Sequence, residues 1–421
     1  MPARSRTCGR RCIRAVTGAT APRSIPPWAA FDDGSWVIVK VMTDQDGLYG
    51  IGSASDIYQP GAVVSIIEEL LAPVLIGRDA GQIEDLWQTM YTSGYWRNGS
   101  TLHTAMGGID MALWDIKGKE AGMPVYQLLG GAVRSAVPCY AHANGATYEQ
   151  LEEEVHAFQE QGFGVIRCQL GGYGGGGFVT PQGVSKFPPA NVFDEASYIT
   201  AIPDMFEKLR VRFGMSLGFT HDVHEHLTPS GAVSLSRALD PYRLFFVEDL
   251  LQSEHTGWYR RVKETSTTPQ AVGELFVHPQ EWLPLVQERL IDFVRMRVSK
   301  AGGITPCRKI AAVCEAFGVR TAWQEGGEND PVNQIAAAHL DMAIMSFGVQ
   351  EINHFRSEEK EAFPGHAVLE HGHLKLNDKP GLGIDIDEHK AAALVKDQGS
   401  LAAYHHPYKL DRKPDGTLIR P

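Results

Sequence analysis

The chain has 421 residues, 43% of them hydrophobic, and a formal charge of −11 at pH 7. Its length exceeds the usual single domain, so a second unit beside the main one is expected. The acidic balance argues against general nucleic-acid binding, which needs a basic stripe to neutralise phosphates, and no run approaches the roughly 18 apolar residues of a membrane span. The cysteines, at positions 8, 12, 139, 168, 307 and 314, show no CxxC pairing, so a cytoplasmic location is the simplest expectation.

The first 31 residues carry six arginines, no lysine and no acid, a composition loosely like a transit peptide. RCIRAVTGA also reads as a first strand with a loop behind it, and that reading is favoured. SWVIVKVMTDQDGLYGIGSAS then reads as a hairpin around Gln45-Asp46-Gly47. VVSIIEELLAPVLIG, IEDLWQTMY and TAMGGIDMALWDIKGKEAG follow as amphipathic helices. Strands followed by a helical group make an α+β unit ahead of the rest, with loops able to fold over it.

From Val137 onward, short apolar runs alternate with helical stretches. VPCYAHANG places His142 at a strand end, and GVIRCQL places Arg167 and Gln169 at the next. SLGFTHD, LFFVED and AVGE end near Asp222, Glu248 and Glu274, at equal intervals of 26 residues. DFVRMRV carries Arg295 and Arg297, VRTAWQ ends at Gln324, and SFGVQE ends at Glu351. Eight such units predict a closed parallel β/α barrel, with strand C-termini converging on one rim.

Each acid alone could be a solvent-facing strand end or a helix cap. As an equally spaced trio, Asp222, Glu248 and Glu274 converge. Three carboxylates at one rim repel, so either some stay protonated or a divalent cation sits between them, with Mg²⁺ the expected ion for hard oxygen ligands.

MALWDIKGKEAGMPVYQLLGG, the acid ladder, AGGIT and KPGLGIDID together resemble the enolase superfamily. HDVHEHLTP and FGVQE resemble, more narrowly, its mannonate dehydratase family. The resemblance implies an α/β fold, a modified (β/α)₇β TIM-type barrel with an α+β N-terminal capping domain. The expected division is 1–134 for the cap, 135–378 for the barrel, and 379–421 for a segment returning to the cap. It also implies Mg²⁺ on Asp222, Glu248 and Glu274, and β-elimination of water from a sugar acid to a 2-keto-3-deoxy acid.

By the same resemblance His224, two residues beyond Asp222 on an extended segment, is the general acid. Arg167 pairs with a tyrosine as the base; Tyr173 is the nearest candidate, although it comes early in GGYGGGGFVTPQG. His142, Arg295, Gln324 and Glu351 are expected at the substrate, Arg295 as a fork for its carboxylate or a partner of Glu351.

Two departures stand out. Gln324 replaces a histidine of a WHGPGD-like context, which argues for weak turnover of mannonate because an amide exchanges no proton near neutral pH. Leu250 follows Glu248-Asp249 where a proline is common. No lysine pair ends the second or sixth strand, so racemisation by two opposed bases is not expected. The readings in play are a hexonate dehydratase, a sugar-acid-binding or regulatory protein of low turnover, and an epimerase or cycloisomerase with other bases. A homo-oligomer is the expected assembly.

Overall fold

The computed structural model describes residues 12–18, 29–31, 34–171, 191–326, 329–394 and 411–419. Eight parallel strands form the barrel: Val137–Gly145, Val165–Leu170, Gly218–Asp222, Phe246–Glu248, Gln270–Val272, Phe293–Val294, Arg320–Thr321 and Gln350–Glu351. They are called barrel strands one to eight below. Seven helices follow the first seven strands: Tyr148–Glu160, Glu195–Phe213, Pro229–Leu239, Tyr259–Thr265, Pro279–Gln287, Ile304–Phe317 and Pro331–Ala343. Neighbouring strands one to seven pair in parallel. The ring closes through a parallel bridge from Thr321 to Phe347 and through Gln350 and Glu351 pairing with Cys139 and Tyr140. The expected barrel is therefore borne out.

The two-residue period of a strand explains the interior. Phe246 and Glu248 point inward while Val247 between them turns to the helices, and all three are fully buried. Tyr140, Phe246, Ala271, Phe293, Ala322 and Val349 form one apolar layer inside the barrel. Large and small residues alternate in it, as a packed interior requires, and the Phe246 and Phe293 rings lie 5.0 Å apart. The next inward positions, above this layer, carry the polar residues of the mouth. At the opposite end, the hairpin of Val368–Glu370 and His373–Lys375 pairs antiparallel with the start of strand one.

Ahead of the barrel, Ile13–Gly18, Ile38–Thr43 and Tyr49–Ser53 make an antiparallel sheet. This bears out the first strand and the hairpin; the loop expected behind the first strand lies mostly outside the described residues. The hairpin lies against the helix Ser100–Ala121. A Cβ at Gly52 would come within 2.0 Å of the Gly108 carbonyl oxygen, so glycine is what allows the approach. The helix Ile83–Thr92 and a helical run of three segments, Pro60–Ser65, Ile66–Leu71 and Ala72–Leu75, complete this layer. No helix among the described residues is long and apolar enough to cross a membrane.

Named polar contacts tie this layer to the barrel. Asp330 caps the helix Pro331–Ala343 by accepting from the Val332 and Asn333 amides, while its other oxygen accepts from the Ser53 and Ser55 hydroxyls. Lys300 pairs with Asp56. Beyond the barrel, the Leu382 amide donates to Asp115 and the Tyr49 hydroxyl to Asp385.

Asp110, on the helix Ser100–Ala121, accepts the Thr305 amide at 2.9 Å at the start of the sixth barrel helix. It is fully buried, and burial pushes its carboxyl up to about 7 against these amide contacts. A folded-state pKa above the unfolded one means stability that is complete below about pH 4 and lost as pH rises through about 7. Asp110→Asn keeps an acceptor for Thr305 and removes the ionisation. Between pH 5 and 8 the variant is expected to gain stability over the parent, by an amount on the order of 2–4 kcal/mol. Urea unfolding at the two pH values measures this; a change in unfolding free energy from pH 5 to 8 that is the same in parent and variant would contradict it.

Candidate active site

Strand register brings the polar residues together. His142 on strand one lies opposite Arg167 on strand two, and Asp222 on strand three lies opposite Glu248 on strand four. Glu274 follows strand five by two residues, past Gly273 at φ +131°. Arg295 follows strand six, and Glu351 ends strand eight.

Two guanidiniums lie among these acids. Arg167 Nη1 is 3.2 Å from Asp222 Oδ2, 3.5 Å from Glu248 Oε2 and 3.4 Å from Glu351 Oε1. Arg295 reaches Glu351 Oε2 at 2.6 Å, Glu248 Oε2 at 3.3 Å and Glu274 Oε2 at 3.4 Å. The Tyr140 hydroxyl donates to Glu248 Oε1 at 3.0 Å and accepts from Arg295. Asp222, Glu248 and Glu351 are buried, whereas the side chains of Glu274, His142 and His224 keep 21%, 21% and 22% exposure and so face the mouth.

The electrostatics follow from this crowding. Burial raises Asp222, but His224, Arg167 and Arg295 outweigh it and hold the carboxyl well below the usual range. Glu351 is lowered in the same way by Arg295, His142 and Arg167. Glu248 goes the other way: burial, with Asp222 and Glu351 close by, pushes it to about 8 despite Arg295 and Arg167. Asp249 is also raised, by burial and by Glu274. Burial lowers His224, but Asp222 more than reverses this and brings the imidazole up to about 9. His142 is lowered by burial and by Arg167, which donates to its Nδ1 at 3.1 Å. That contact assigns the Nε2–H tautomer, with Nε2 2.7 Å from Glu351 Oε1.

The structure thus brings His142, Arg167, Asp222, His224, Glu248, Glu274, Arg295, Gln324 and Glu351 into one site. Tyr173 lies outside the described residues. Three details differ from expectation. Strand three ends at Asp222, and His224 is not on an extended segment: with Glu225 it takes left-handed φ values of 53° and 62°. A turn held by the His224 amide donating to Asp222 Oδ1 at 2.8 Å brings the ring back to the acid. Arg295 is fully buried and forks onto protein carboxylates, so its partnership with Glu351 holds and its guanidinium is not presented to a substrate. Among the described residues, no three of His, Cys, Asp and Glu stand ready as a metal cage, because the arginines lie between the acids.

Sequence reading missed three contributors. Tyr140 alternates with His142 on strand one, the signal that would have found it. Asp249 (φ 37°) accepts the Glu225 amide on its carbonyl and the Gly273 amide on its side chain, linking the ends of strands three, four and five. Arg297 donates to Gln324.

Comparison with known proteins agrees with this architecture. Residues 150–390 match the family described as Enolase C-terminal domain-like, and residues 14–130 match the Mandelate racemase / muconate lactonizing enzyme N-terminal domain. A D-galactonate dehydratase family member from Paenibacillus sp. (strain JDR-2) is 66% identical over 395 residues, covering 92% of this chain and 97% of that protein. A crystal structure of an enolase from Pantoea ananatis, with bound D-gluconate and Mg, superimposes with a TM-score of 0.90 at 41% identity, covering 97% of this chain and all of that one. The D-mannonate dehydratase of Caulobacter vibrioides is 41% identical over 401 residues, covering 91% of this chain and 96% of that protein. The chain belongs to the enolase superfamily and, within it, to the D-galactonate dehydratase family.

Arg295 is the principal counter-charge for buried acids. Removing one partner of such a pair costs about 3–5 kcal/mol, and Arg295→Met is expected to lose stability in that range. Urea unfolding of the metal-free protein checks it; a loss under 1 kcal/mol would mean that the acids are compensated by other groups.

Proposed function

We propose that this chain is a Mg²⁺-dependent dehydratase of six-carbon sugar acids, acting on a hexonate of the gluconate or galactonate kind. The observation that carries it is the inward trio Asp222, Glu248 and Glu274 with His224 beside it. The residues fit a hard divalent cation: the donors are carboxylate oxygens, and the buried Glu248 Oε2 accepts no hydrogen bond. If all were ionised, the four carboxylates of Asp222, Glu248, Glu274 and Glu351 would outnumber the two guanidiniums of Arg167 and Arg295, and the crowding is relieved by the raised pKa of Glu248, whose ionised form a cation would favour. Asp222, Glu248 and Glu274 would hold the ion, exchanging guanidinium contacts for it. Mg²⁺ bound there supplies the positive charge that makes a proton α to a carboxylate removable.

The protein groups divide the remaining work. The α C–H bond breaks to a base, with Arg167 and Tyr173 the proposed pair. The β C–O bond breaks as the hydroxyl takes the proton held by His224, leaving as water. The enol that remains tautomerises to the 2-keto-3-deoxy acid. His224 suits this step because the Asp222 carboxylate, with Oδ2 3.4 Å from its Nδ1, favours the protonated imidazole. His142, neutral and part-exposed, is proposed to meet substrate hydroxyls, with Glu351 orienting both it and Arg295. In this reading residues 1–134 cap the mouth, 135–378 carry the chemistry and 379–421 return to the cap. The gluconate- and Mg-bound Pantoea structure and the family's name support the substrate class.

The test is a screen of the protein with Mg²⁺ against D-gluconate, D-galactonate, D-mannonate and the pentonates, scoring 2-keto-3-deoxy product. Turnover of at least one hexonate is expected, and Glu248→Gln abolishes it. His224→Asn is expected to lower kcat by about 10²–10⁴-fold while the α-proton still exchanges with solvent deuterium. No turnover of any sugar acid by protein shown to bind Mg²⁺ would favour a sugar-acid-binding role instead.

A further inference from the structure

Asp222 and Glu248 end their strands, so ladder register and burial fix where their carboxylates point. Glu274 has neither advantage. It stands two residues past its strand, after a glycine at φ +131°, and its side chain is 21% exposed. A carboxylate on such a backbone needs side-chain tethers to hold one direction.

Gln324 provides one. Its amide is 97% buried and lies between two residues: Arg297 Nε donates to Oε1 at 2.6 Å, and Nε2 donates to Glu274 Oε1 at 3.2 Å. The orientation of the amide follows from chemistry. A guanidinium has only donors, so Oε1 must face Arg297, which leaves the NH₂ for Glu274. Arg297 is itself 97% buried. The backbone of Gln324 is also held, its amide donating to the Met296 carbonyl at 3.0 Å and its carbonyl accepting from Asn329 at 3.3 Å. The second oxygen of Glu274 faces Arg295 at 3.4 Å, so the carboxylate is gripped from both sides.

We propose that Gln324 is a positioning residue, not a substrate contact: clamped by Arg297, it aims Glu274 at the Mg²⁺ site. This rests on the metal-dependent reading above. An amide suits the task because it presents an acceptor and a donor together and gains or loses no proton across the working pH range. The missing histidine then means that proton transfer near strand seven is absent and that its place serves metal binding.

The test is the Mg²⁺ affinity of the substrate-free protein by isothermal titration calorimetry, for the parent and Gln324→Met. Methionine keeps the volume and removes the donor without adding charge. Loss of a group that orients a metal ligand typically weakens metal binding about 10–100-fold, and that range is expected here. Gln324→Asn keeps the amide but shortens its reach by one methylene; it is expected to weaken Mg²⁺ binding in the same direction and serves if the methionine variant does not fold. An Mg²⁺ Kd within twofold of the parent, with a raised KM for the hexonate, would make Gln324 a substrate contact and overturn the proposal. A parent protein that takes up no Mg²⁺ would sink the metal-dependent reading and this proposal together. Parent binding with unchanged variants sinks this proposal alone.

Discussion

Several carboxylates packed at one end of a barrel repel each other and lose their hydration, and much of the mouth is arranged around that fact. Removing an ionised carboxylate from water costs several kcal/mol unless a partner compensates it. Arg167 and Arg295 are those partners, each reaching three acids, and the Tyr140 hydroxyl bridges Glu248 to Arg295. The compensation is deliberately incomplete in its effect. Asp222 and Glu351 stay ionised, whereas Glu248 is left with a raised pKa, a carboxylate whose charged form waits for more positive charge. A site in this condition is electrostatically suited to a divalent cation.

The barrel makes the arrangement geometrically easy. Because side chains alternate, the strand position that points Phe246 into the apolar layer also points Glu248 into the mouth, and the same relation links Tyr140 to His142 and Phe293 to Arg295. The apolar layer therefore acts as a dry floor beneath the charges, strengthening every ion pair above it. The cap is tied to the rim through acids that also serve barrel helices, as Asp330 does for Ser53 and Ser55. Cap position and rim position are thus set by the same residues.

The barrel and its acids were legible because both depend on local repeats. A strand, a loop and a helix return the chain to one rim, so Asp222, Glu248 and Glu274 announce themselves by spacing alone. Apart from the Arg295–Glu351 pair, the charge pairing was not legible, since Arg167, Arg295 and Tyr140 meet their other partners from strands two, six and one only once the ring has closed. Arg295 read either as a substrate fork or as a partner of Glu351, and only the closed ring adds Glu248 and Glu274 to its contacts. Gln324 read as a loss because a substitution is visible in a sequence, whereas the Arg297 and Glu274 on either side of its amide are not. The turn at His224 escaped for another reason: a non-glycine residue in the left-handed region is uncommon, and the enrichment of histidine there does not single out His224 from the neighbouring His221 and His226.

That turn has company. His224, Glu225 and Asp249 all hold positive φ, and all three sit where strands three and four open onto the charged mouth. Each such conformation costs on the order of 1–3 kcal/mol relative to a relaxed backbone. The cost is local, but the stability that offsets it comes from the packed barrel below and the helices around it. Arg243 and Arg289, ahead of strands four and six, and His371, in the hairpin at the opposite end of the barrel, hold positive φ as well, and glycine at those positions relieves strain without altering the mouth. Relaxing His224, Glu225 or Asp249 would instead remove the imidazole or shift the turns between the acids, so stability gained at the rim of this fold is gained against the site, whereas stability gained at the far end is not.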